Sequence, residues 1–264
     1  MSREEIIGFF NKDRGGPLFY YESLESTNSL AGDLILSNPA DGTVIVAGEQ
    51  SRGQGRLGRT FFSPPGSGIY LSYIKLLPAG AKNLGLLTGF AALAVCEAIE
   101  AKTNHRTQIK WPNDILINRK KVCGILTKAH TVPGESEHNS YALIGIGLNV
   151  NRPQEGFPKD IVHKAGSLRA EGEEALNRFE LCALIIENLY RILIEEDALI
   201  ADAGARLAAL RERSCVIGKE VMTGTQDKRE KFLVLDLAAD GGLLVTDKAG
   251  EQRIIYGGEI LEVY

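Results

Sequence analysis

Residues 51–59, SRGQGRLGR, combine three glycines with three arginines. Glycine allows backbone conformations that other residues resist and leaves backbone N–H groups accessible. The planar arginine guanidinium matches the oxygens of a phosphate or a carboxylate. This glycine–arginine loop therefore predicts a site for an anion such as phosphate. A flexible, solvated basic loop without a ligand is equally compatible with this composition.

Three further groups combine polar residues with glycines. They are residues 110–114 (KWPND), Lys121 with Gly124, and residues 145–149 (GIGLN). Together with the glycine–arginine loop, these groups need one explanation.

The chain has 264 residues, 44% of them hydrophobic, and a formal net charge of −4. This length suits one large domain with a small appendage, and the composition is typical of a soluble globular protein. No apolar run reaches the length that crosses a bilayer, and the acidic N-terminus lacks a signal-peptide pattern, which predicts a cytoplasmic protein. The net charge is unfavourable for broad nucleic-acid binding, which needs a basic face.

The cysteines and histidines show no metal-binding or redox spacing. The four cysteines are far apart and form no CxxC pair, which predicts buried free thiols rather than a zinc site. No nucleophile signature such as Gly-x-Ser-x-Gly is present. Covalent catalysis by this chain is therefore not expected.

Hydrophobic patterning predicts alternating strands and helices that carry these groups. The β-branched run at residues 43–47 leads directly into the glycine–arginine loop, and residues 26–28 (STN) cap a helix that ends near Ile35. Residues 109–128 predict a hairpin with its turn at residues 118–119, and residues 141–150 predict a central strand. Further strands are predicted at residues 18–22 and 69–76, and further helices at residues 4–10, 84–101, 178–196 and 198–213.

Beyond Cys215 the sequence changes to short β-rich segments separated by turns such as residues 240–242. This rhythm is typical of a small barrel. The predicted fold class is therefore α/β, with a mixed β-sheet flanked by helices in a domain of residues 1–214. An SH3-like β-barrel of residues 215–264 follows.

The polar groups resemble the motifs of the biotin protein ligase family, in that family's order and spacing. SRGQGRLGRTFFSPPGSGIYLS resembles its GRGRxGR loop, KWPNDILIN its KWPND segment, KVCGIL its KxxGIL, and GIGLNVN its GxGxN strand. With STN near the start and YGGEI near the end, the resemblance extends over nearly the whole chain. WPND preceded by lysine is highly specific, whereas GIGLN alone is weak.

The resemblance implies a class II synthetase-like catalytic domain and a reaction in two steps. Biotin and Mg-ATP would give biotinyl-5′-AMP and pyrophosphate. The biotinyl group would then pass to one lysine of the biotin carboxyl carrier domain of a biotin-dependent carboxylase. ATP, biotin and Mg²⁺ are thus the implied ligands, and the carrier domain is the implied partner. Sheet-edge homodimers occur in the family, which favours a dimer.

Motif positions also imply the roles of individual residues. The implied catalytic residues are Arg56, Lys110, Asp114 and Lys121. Those implied for biotin are Ser26, Thr27, Asn28, Gln50, Gln54, Gly55, Arg56, Lys121 and Gly124. Those implied for ATP and the adenylate are Gly53, Arg56, Arg59, Trp111, Asn113, Lys121 and Asn149, with Asn149 also a candidate ligand of Mg²⁺. In the transfer step Asp114 would accept a proton from the acceptor lysine or orient it, because the amine must be neutral to attack.

Several of these residues also have a purely structural interpretation. Trp111 could be a packing residue, Asp114 could pair with Lys110 or cap a turn, and Ser26 and Thr27 could only cap a helix. The chain also departs from the family. Gln54 stands where many relatives have a second arginine, and Phe61 replaces a frequent tryptophan.

Some bacterial relatives carry an N-terminal winged-helix domain that binds DNA. Here only seventeen residues precede the first predicted strand. We therefore expect a ligase of the type without that domain, and no binding to DNA.

Two other functions are also compatible with the sequence. A lipoate or octanoyl ligase would share the fold but lacks this combination of loop and KWPND segment. A regulator that senses biotin or nucleotide without turnover would need neither Lys121 nor Asp114. Pyrophosphate release with ATP and either biotin or lipoate distinguishes the three.

Overall fold

The computed structural model describes residues 16–78, 84–132, 139–169, 172–195, 203–224 and 229–264. Over these ranges the chain forms a seven-stranded mixed sheet with helices and a five-stranded antiparallel sheet. This arrangement confirms the predicted α/β class with a second, C-terminal β unit. The helix predicted at residues 4–10 lies outside the described residues.

The large sheet has the spatial order β1-β2-β3-β7-β6-β5-β4, with β1 parallel to β2 and the other neighbours antiparallel. Its strands are β1 (Leu18–Leu24), β2 (Thr43–Gln50), β3 (Gly68–Leu77), β4 (Gln108–Lys110), β5 (Asp114–Ile117), β6 (Lys120–Val132) and β7 (Asn139–Asn149). The turn predicted at residues 118–119 is confirmed, because Asn118 and Arg119 have φ of 49° and 65° there. The residues predicted as a hairpin form three antiparallel strands, because β4 comes before the hairpin of β5 and β6.

The two faces of this sheet are covered unequally. The helices are α1 (Thr27–Ile35), α2 (Leu84–Lys102), α3 (Arg178–Tyr190), which continues as a π-helical turn (Arg191–Glu195), and α4 (Ala203–Arg213). On one face, inward residues such as Leu71 and Ile144 belong to the large core with α2 and α3. On the other face, Ile74 and Leu143 pack with α1 alone. The part of this second face that α1 does not cover is therefore where we look for a site.

Helix α2 corrects one sequence expectation, since it is long and apolar enough to span a membrane by length and composition. Thirteen of its nineteen residues are buried, and 61% of its most apolar window lies inside the fold. A helix that is apolar on all sides is typical of a position in the interior of a large core. The apolar run is explained by this packing.

The predicted free thiols are confirmed. All four cysteines are free, and Cys96, Cys123 and Cys182 are buried whereas Cys215 is half-buried. Burial raises the pKa of Cys96 and of Cys182 to about 12. These two thiols therefore stay protonated at neutral pH and are poor nucleophiles.

The C-terminal sheet has the order β11-β10-β9-β8-β12. Its strands are β8 (Glu220–Gly224), β9 (Arg229–Leu237), β10 (Leu243–Thr246), β11 (Gln252–Ile255) and β12 (Ile260–Val263). Strand β12 is missing from the sequence prediction, because it is four residues long and closely follows a glycine pair. The sheet is tied to the larger one by Trp111, whose indole N–H donates to the Gly241 carbonyl at 3.1 Å. The domain boundary at residues 214 and 215 stays a prediction.

Candidate active site

A cleft of about 750 Å³ lies between the glycine–arginine loop and the open face of the large sheet. Residues 52–60 form one wall, and Leu126 and Lys128 of β6 form the other. Strand β2 leads directly into this loop, as the sequence predicts. The first turn of helix α1 lies beside the loop. The glycine–arginine loop and the KVCGIL segment, through Leu126, thus face one cavity.

Uncharged polar groups converge at the start of helix α1. Ser26 caps the helix by accepting a hydrogen bond from the Ser29 N–H. Both the N–H and the hydroxyl of Thr27 donate to Gln50 Oε1, at 2.8 and 3.1 Å. The Gln50 amide nitrogen in turn donates to Ser63 Oγ at 3.0 Å. Thr27, Gln50 and Ser63 therefore form a neutral hydrogen-bond network. The side-chain bond described for Ser26 is the helix cap.

Ser72 is a residue of this network that the motifs do not include. It is fully buried on β3, and its hydroxyl lies 2.9 Å from Thr27 Oγ1 and 2.7 Å from Asn28 Oδ1. A hydroxyl carries one proton, so Ser72 can donate to only one of them at a time. The available signal in the sequence is a small polar residue, Ser72, inside the mostly apolar run of β3.

Glycines provide the space for these side chains. Gly145 pairs with Ser72 across the ladder between β3 and β7, and a Cβ atom there would lie 2.3 Å from Asn28 Oδ1. Gly147 pairs with Gly124 of β6, and a Cβ at residue 147 would lie 2.5 Å from the Phe61 ring. The glycines of the GxGxN and KxxGIL motifs, Gly145, Gly147 and Gly124, thus form a glycine floor, with Asn28 packed at one end and Phe61 at the other.

The Arg56 side chain extends from the loop toward residues that are distant in sequence. Its guanidinium donates to Asn113 Oδ1 and to the Gly258 carbonyl, each at 2.9 Å. Asn113 is itself fixed, because its amide nitrogen donates to the Ile125 carbonyl at 2.9 Å. Two predicted residues, Arg56 and Asn113, are therefore in direct contact beside the cleft.

Arg59 forms a two-pronged ion pair with Glu259, with N–O distances of 2.5 and 2.6 Å. This contact lowers the pKa of the Glu259 carboxyl, chiefly through its hydrogen bonds with the guanidinium. Glu259 belongs to the YGGEI motif but is not among the predicted site residues. The Glu259 carboxylate thus pairs with Arg59, for which the resemblance implies a contact with ATP or the adenylate or a role in organising the loop.

Lys121 and Asp114 are neighbours on the hairpin of β5 and β6. The Lys121 ammonium lies 2.6 Å from Asp114 Oδ1, an atom that is buried but makes no directed hydrogen bond. Asp114 thus pairs with Lys121 and not with Lys110, the partner that its structural interpretation gave. Lys110 faces Asp114 in the ladder between β4 and β5, but the described residues contain no ion pair between the two.

Trp111 and Asn149 lie at the margins of this arrangement. Trp111 is 9% exposed and belongs to the large core, which agrees with its packing interpretation; an adenylate contact stays a prediction. Asn149 ends β7, and its amide nitrogen donates to the Gly166 carbonyl at 3.0 Å. The amide oxygen of Asn149 is not used in that bond. No group of three or more His, Cys, Asp or Glu with metal-binding geometry occurs in the described part of the chain.

The sheet face beside the cleft therefore carries two chemically different groups of side chains, with the glycine floor between them. Neutral donors and acceptors gather at α1, and Arg56, Lys121 and Asp114 gather at the hairpin. A ligand with an uncharged polar head and an anionic tail matches this order of groups.

The chain is similar to known ligases over most of its length. Residues 20–149 match the model of the Biotin/lipoate A/B protein ligase family. The sequence is 37% identical over 195 residues to the bifunctional ligase/repressor BirA of Bacillus spizizenii, a match covering 72% of this chain and 59% of that protein. It is 30% identical over 246 residues to the biotin–[acetyl-CoA-carboxylase] ligase of Paracoccus denitrificans, covering 89% and 98%.

The fold has solved counterparts as well. A biotin protein ligase from Aquifex aeolicus, solved in complex with biotin and ATP, superposes with a TM-score of 0.72 at 27% identity. That comparison covers 92% of this chain and 96% of the other.

The glycine floor can be tested through Gly145→Ala. The added methyl group would overlap the Asn28 amide, so we expect a loss of about 1–3 kcal/mol in the free energy of unfolding, as for other overpacked sites. Urea denaturation followed by circular dichroism measures it. Gly32→Ala is the matched control, because its Cβ would lie 3.7 Å from the nearest side-chain atom, in His130, and alanine favours the helix by about 0.5–1 kcal/mol. Equal stability of the two variants would contradict the role assigned to Gly145.

Proposed function

Because the chain belongs to the biotin/lipoate A/B protein ligase family, we propose that it is an ATP-dependent biotin–[biotin carboxyl-carrier protein] ligase. The observation that carries the proposal is the order of groups on the sheet face beside the cleft. A neutral hydrogen-bonding network suits the ureido ring of biotin, and the basic end suits the carboxylate and the phosphates of ATP.

In the first step an oxygen of the biotin carboxylate attacks the α-phosphorus of ATP, and pyrophosphate leaves. Thr27, Asn28 and Gln50 bind the ring, which directs the acid tail along the glycine floor toward Lys121. The Lys121 ammonium then lies between the carboxylate and the phosphate and offsets their repulsion. Its ion pair with Asp114 orients it before either ligand arrives, and an ammonium has three donors to share.

Arg56 and Arg59 need new partners once ATP is bound. Arg56 is held by the Asn113 and Gly258 oxygens, and Arg59 by Glu259. The phosphates offer oxygens that can replace these acceptors one for one, so the arginines are oriented before the nucleotide enters. Gly53 and Gly55 allow the loop backbone to approach the ligand closely.

In the second step the ε-amine of the carrier lysine attacks the acyl carbon of biotinyl-5′-AMP. The amide bond forms, AMP leaves, and the amine loses a proton. Asp114 accepts that proton or orients the amine. Lys110, on the neighbouring strand, adds positive charge near the leaving phosphate.

Mg²⁺ is proposed to enter with the nucleotide. Magnesium sites in nucleotide enzymes are commonly built from one or two protein oxygens plus phosphate oxygens and water. The amide oxygen of Asn149, which the bond to Gly166 leaves available, fits that role. Bound there, the ion supplies positive charge to the phosphates.

The proposed partner is the biotin carboxyl carrier domain of a biotin-dependent carboxylase. We also propose that the protein acts in the cytoplasm, that residues 1–214 and 215–264 form its two domains, and that it forms a homodimer through a sheet edge. The outer position of β1 in the large sheet supports the dimer, because an edge strand can add a further strand.

The proposed activity is tested by mixing the protein with Mg-ATP and either biotin or lipoate. Pyrophosphate release is expected with biotin only, followed by a mass increase on a single lysine when a carrier domain is added. Release with lipoate in place of biotin would identify a lipoate ligase. Binding of both substrates without any pyrophosphate would identify a sensor.

Lys121→Ala and Asp114→Asn should affect different steps. Loss of Lys121 removes a donor to the developing charge, so adenylate formation should fall by about a hundredfold or more. Asp114→Asn keeps an amide oxygen that can still accept from the Lys121 ammonium and orient it, so adenylation should change little, while transfer from preformed biotinyl-5′-AMP slows by about a hundredfold and partly recovers at high pH, where the acceptor amine is neutral unaided.

Single-turnover assays of each step measure these effects. Lys120→Ala is the matched control, since Lys120 is exposed and its ammonium donates to the His163 carbonyl. Equal losses in both steps for Asp114→Asn, with no recovery at high pH, would give Asp114 a purely structural role.

We further propose that the protein does not bind DNA, because its net charge of −4 is unfavourable for phosphate neutralisation. A gel shift with the DNA upstream of its own gene, with and without biotin and ATP, should show no specific complex at physiological salt. A biotin-dependent shift would overturn this.

A further inference from the structure

The Gln54 side chain joins three elements around the cleft. Its amide nitrogen donates to Ser29 Oγ on helix α1 at 2.9 Å, and its amide oxygen accepts from Lys128 Nζ on strand β6 at 2.9 Å. Gln54 itself belongs to the glycine–arginine loop. We call this set of three side chains the amide clasp.

The clasp determines the position of the loop rather than its shape. The backbone bonds from Gly55 N to Arg59 O and from Phe61 N to Gly53 O are internal to the loop and its flanking residue. They preserve its fold whether it lies over the cleft or away from it. Attachment to α1 and β6 needs side chains, and Gln54 is the one that reaches both.

Other attachments of the loop lie elsewhere. The start of the loop is fixed by backbone bonds, from the Ser51 N–H to the Leu24 carbonyl at 3.0 Å and from the Arg52 N–H to the Glu25 carbonyl at 2.8 Å. The Arg52 and Glu25 side chains also pair, but they are 77% and 62% exposed, and an ion pair so exposed contributes little. Arg56 and Arg59 fasten the far end of the loop to the C-terminal segment. Between these two ends, the clasp is the side-chain attachment of the loop to α1 and β6.

Charge explains why a glutamine suits this position. Lys128 lines the same cleft as residue 54, and an arginine at residue 54 would place two positive side chains against each other. A neutral amide instead accepts from the ammonium, and hydrogen bonds with a charged partner are stronger than neutral ones. The departure from the family pattern at Gln54 thus has a physical counterpart in Lys128.

We propose that Ser29 and Lys128 are positioning residues, which hold the loop closed through Gln54 and so determine how long the adenylate is retained. The statement about the adenylate rests on the proposed function. The clasp itself exists in the protein without ligand, and it can be tested without ligand.

The first test is limited trypsin digestion of the full chain without ligand, following cleavage after Arg52, Arg56 and Arg59. Trypsin needs the loop backbone to detach and enter its active site, so Gln54→Ala and Lys128→Met should each be cut about fivefold faster, as loss of one net hydrogen bond implies. The double variant should be cut no faster than either single one, and Lys128→Arg should behave like the unmodified protein. Lys248→Met is the matched control, because Lys248 is exposed in the turn between β10 and β11, far along the chain from the loop.

The second test is the release rate of preformed biotinyl-5′-AMP, followed by rapid filtration. Both single variants should release it about fivefold faster, and the double variant no faster than either. A Lys128→Met effect that persists in the Gln54→Ala background would mean that Lys128 acts on the ligand directly, and would overturn the clasp. Unchanged digestion in all variants would overturn it as well. Faster digestion with no adenylate formed by the unmodified protein would instead refute the proposed function and leave the clasp standing.

Discussion

The site depends on three absent side chains in the middle of the large sheet. A Cβ atom at Gly145 or Gly147 would overlap Asn28 or Phe61, and one at Gly124 would lie 3.1 Å from the Lys121 side chain. Because the opposite face is filled by α2 and α3, the sheet cannot move back to make room. Side chains from α1, the loop and the hairpin can meet over these strands only where the strand residues are glycines, which have no side chain.

Around this floor, the charged groups are paired before any ligand arrives. Arg59 is matched by Glu259, Lys121 by Asp114, and Arg56 by two oxygens. Holding several cations close together costs free energy unless each has a partner. The partners are themselves positioned by the fold, so an anionic ligand exchanges acceptors with the protein and does not have to organise the cations first.

Local signals made part of this structure predictable. The STN cap, the turn at Asn118 and Arg119 and the long buried α2 depend on residues that are adjacent in sequence, and they appear as expected. Ser72 and Glu259 could not be found in the same way, because their roles come from contacts with Asn28 and Arg59 that only the sheet order and the C-terminal segment create. The partner of Asp114 shows the same limit. The ladder between β4 and β5 places Lys110 opposite Asp114, yet Asp114 forms its ion pair with Lys121 on the other neighbouring strand, β6.

The attachment of Arg56 and Arg59 to residues 258 and 259 spans about 200 positions of sequence. During translation the loop leaves the ribosome long before these acceptors are made, so both arginines are at first without them. The large sheet can form first, but the loop gains its far anchor only when the last part of the chain has emerged. Maturation of the cleft is thus tied to the final stage of synthesis, and a nascent chain stalled before residue 258 carries both arginines without their distant acceptors.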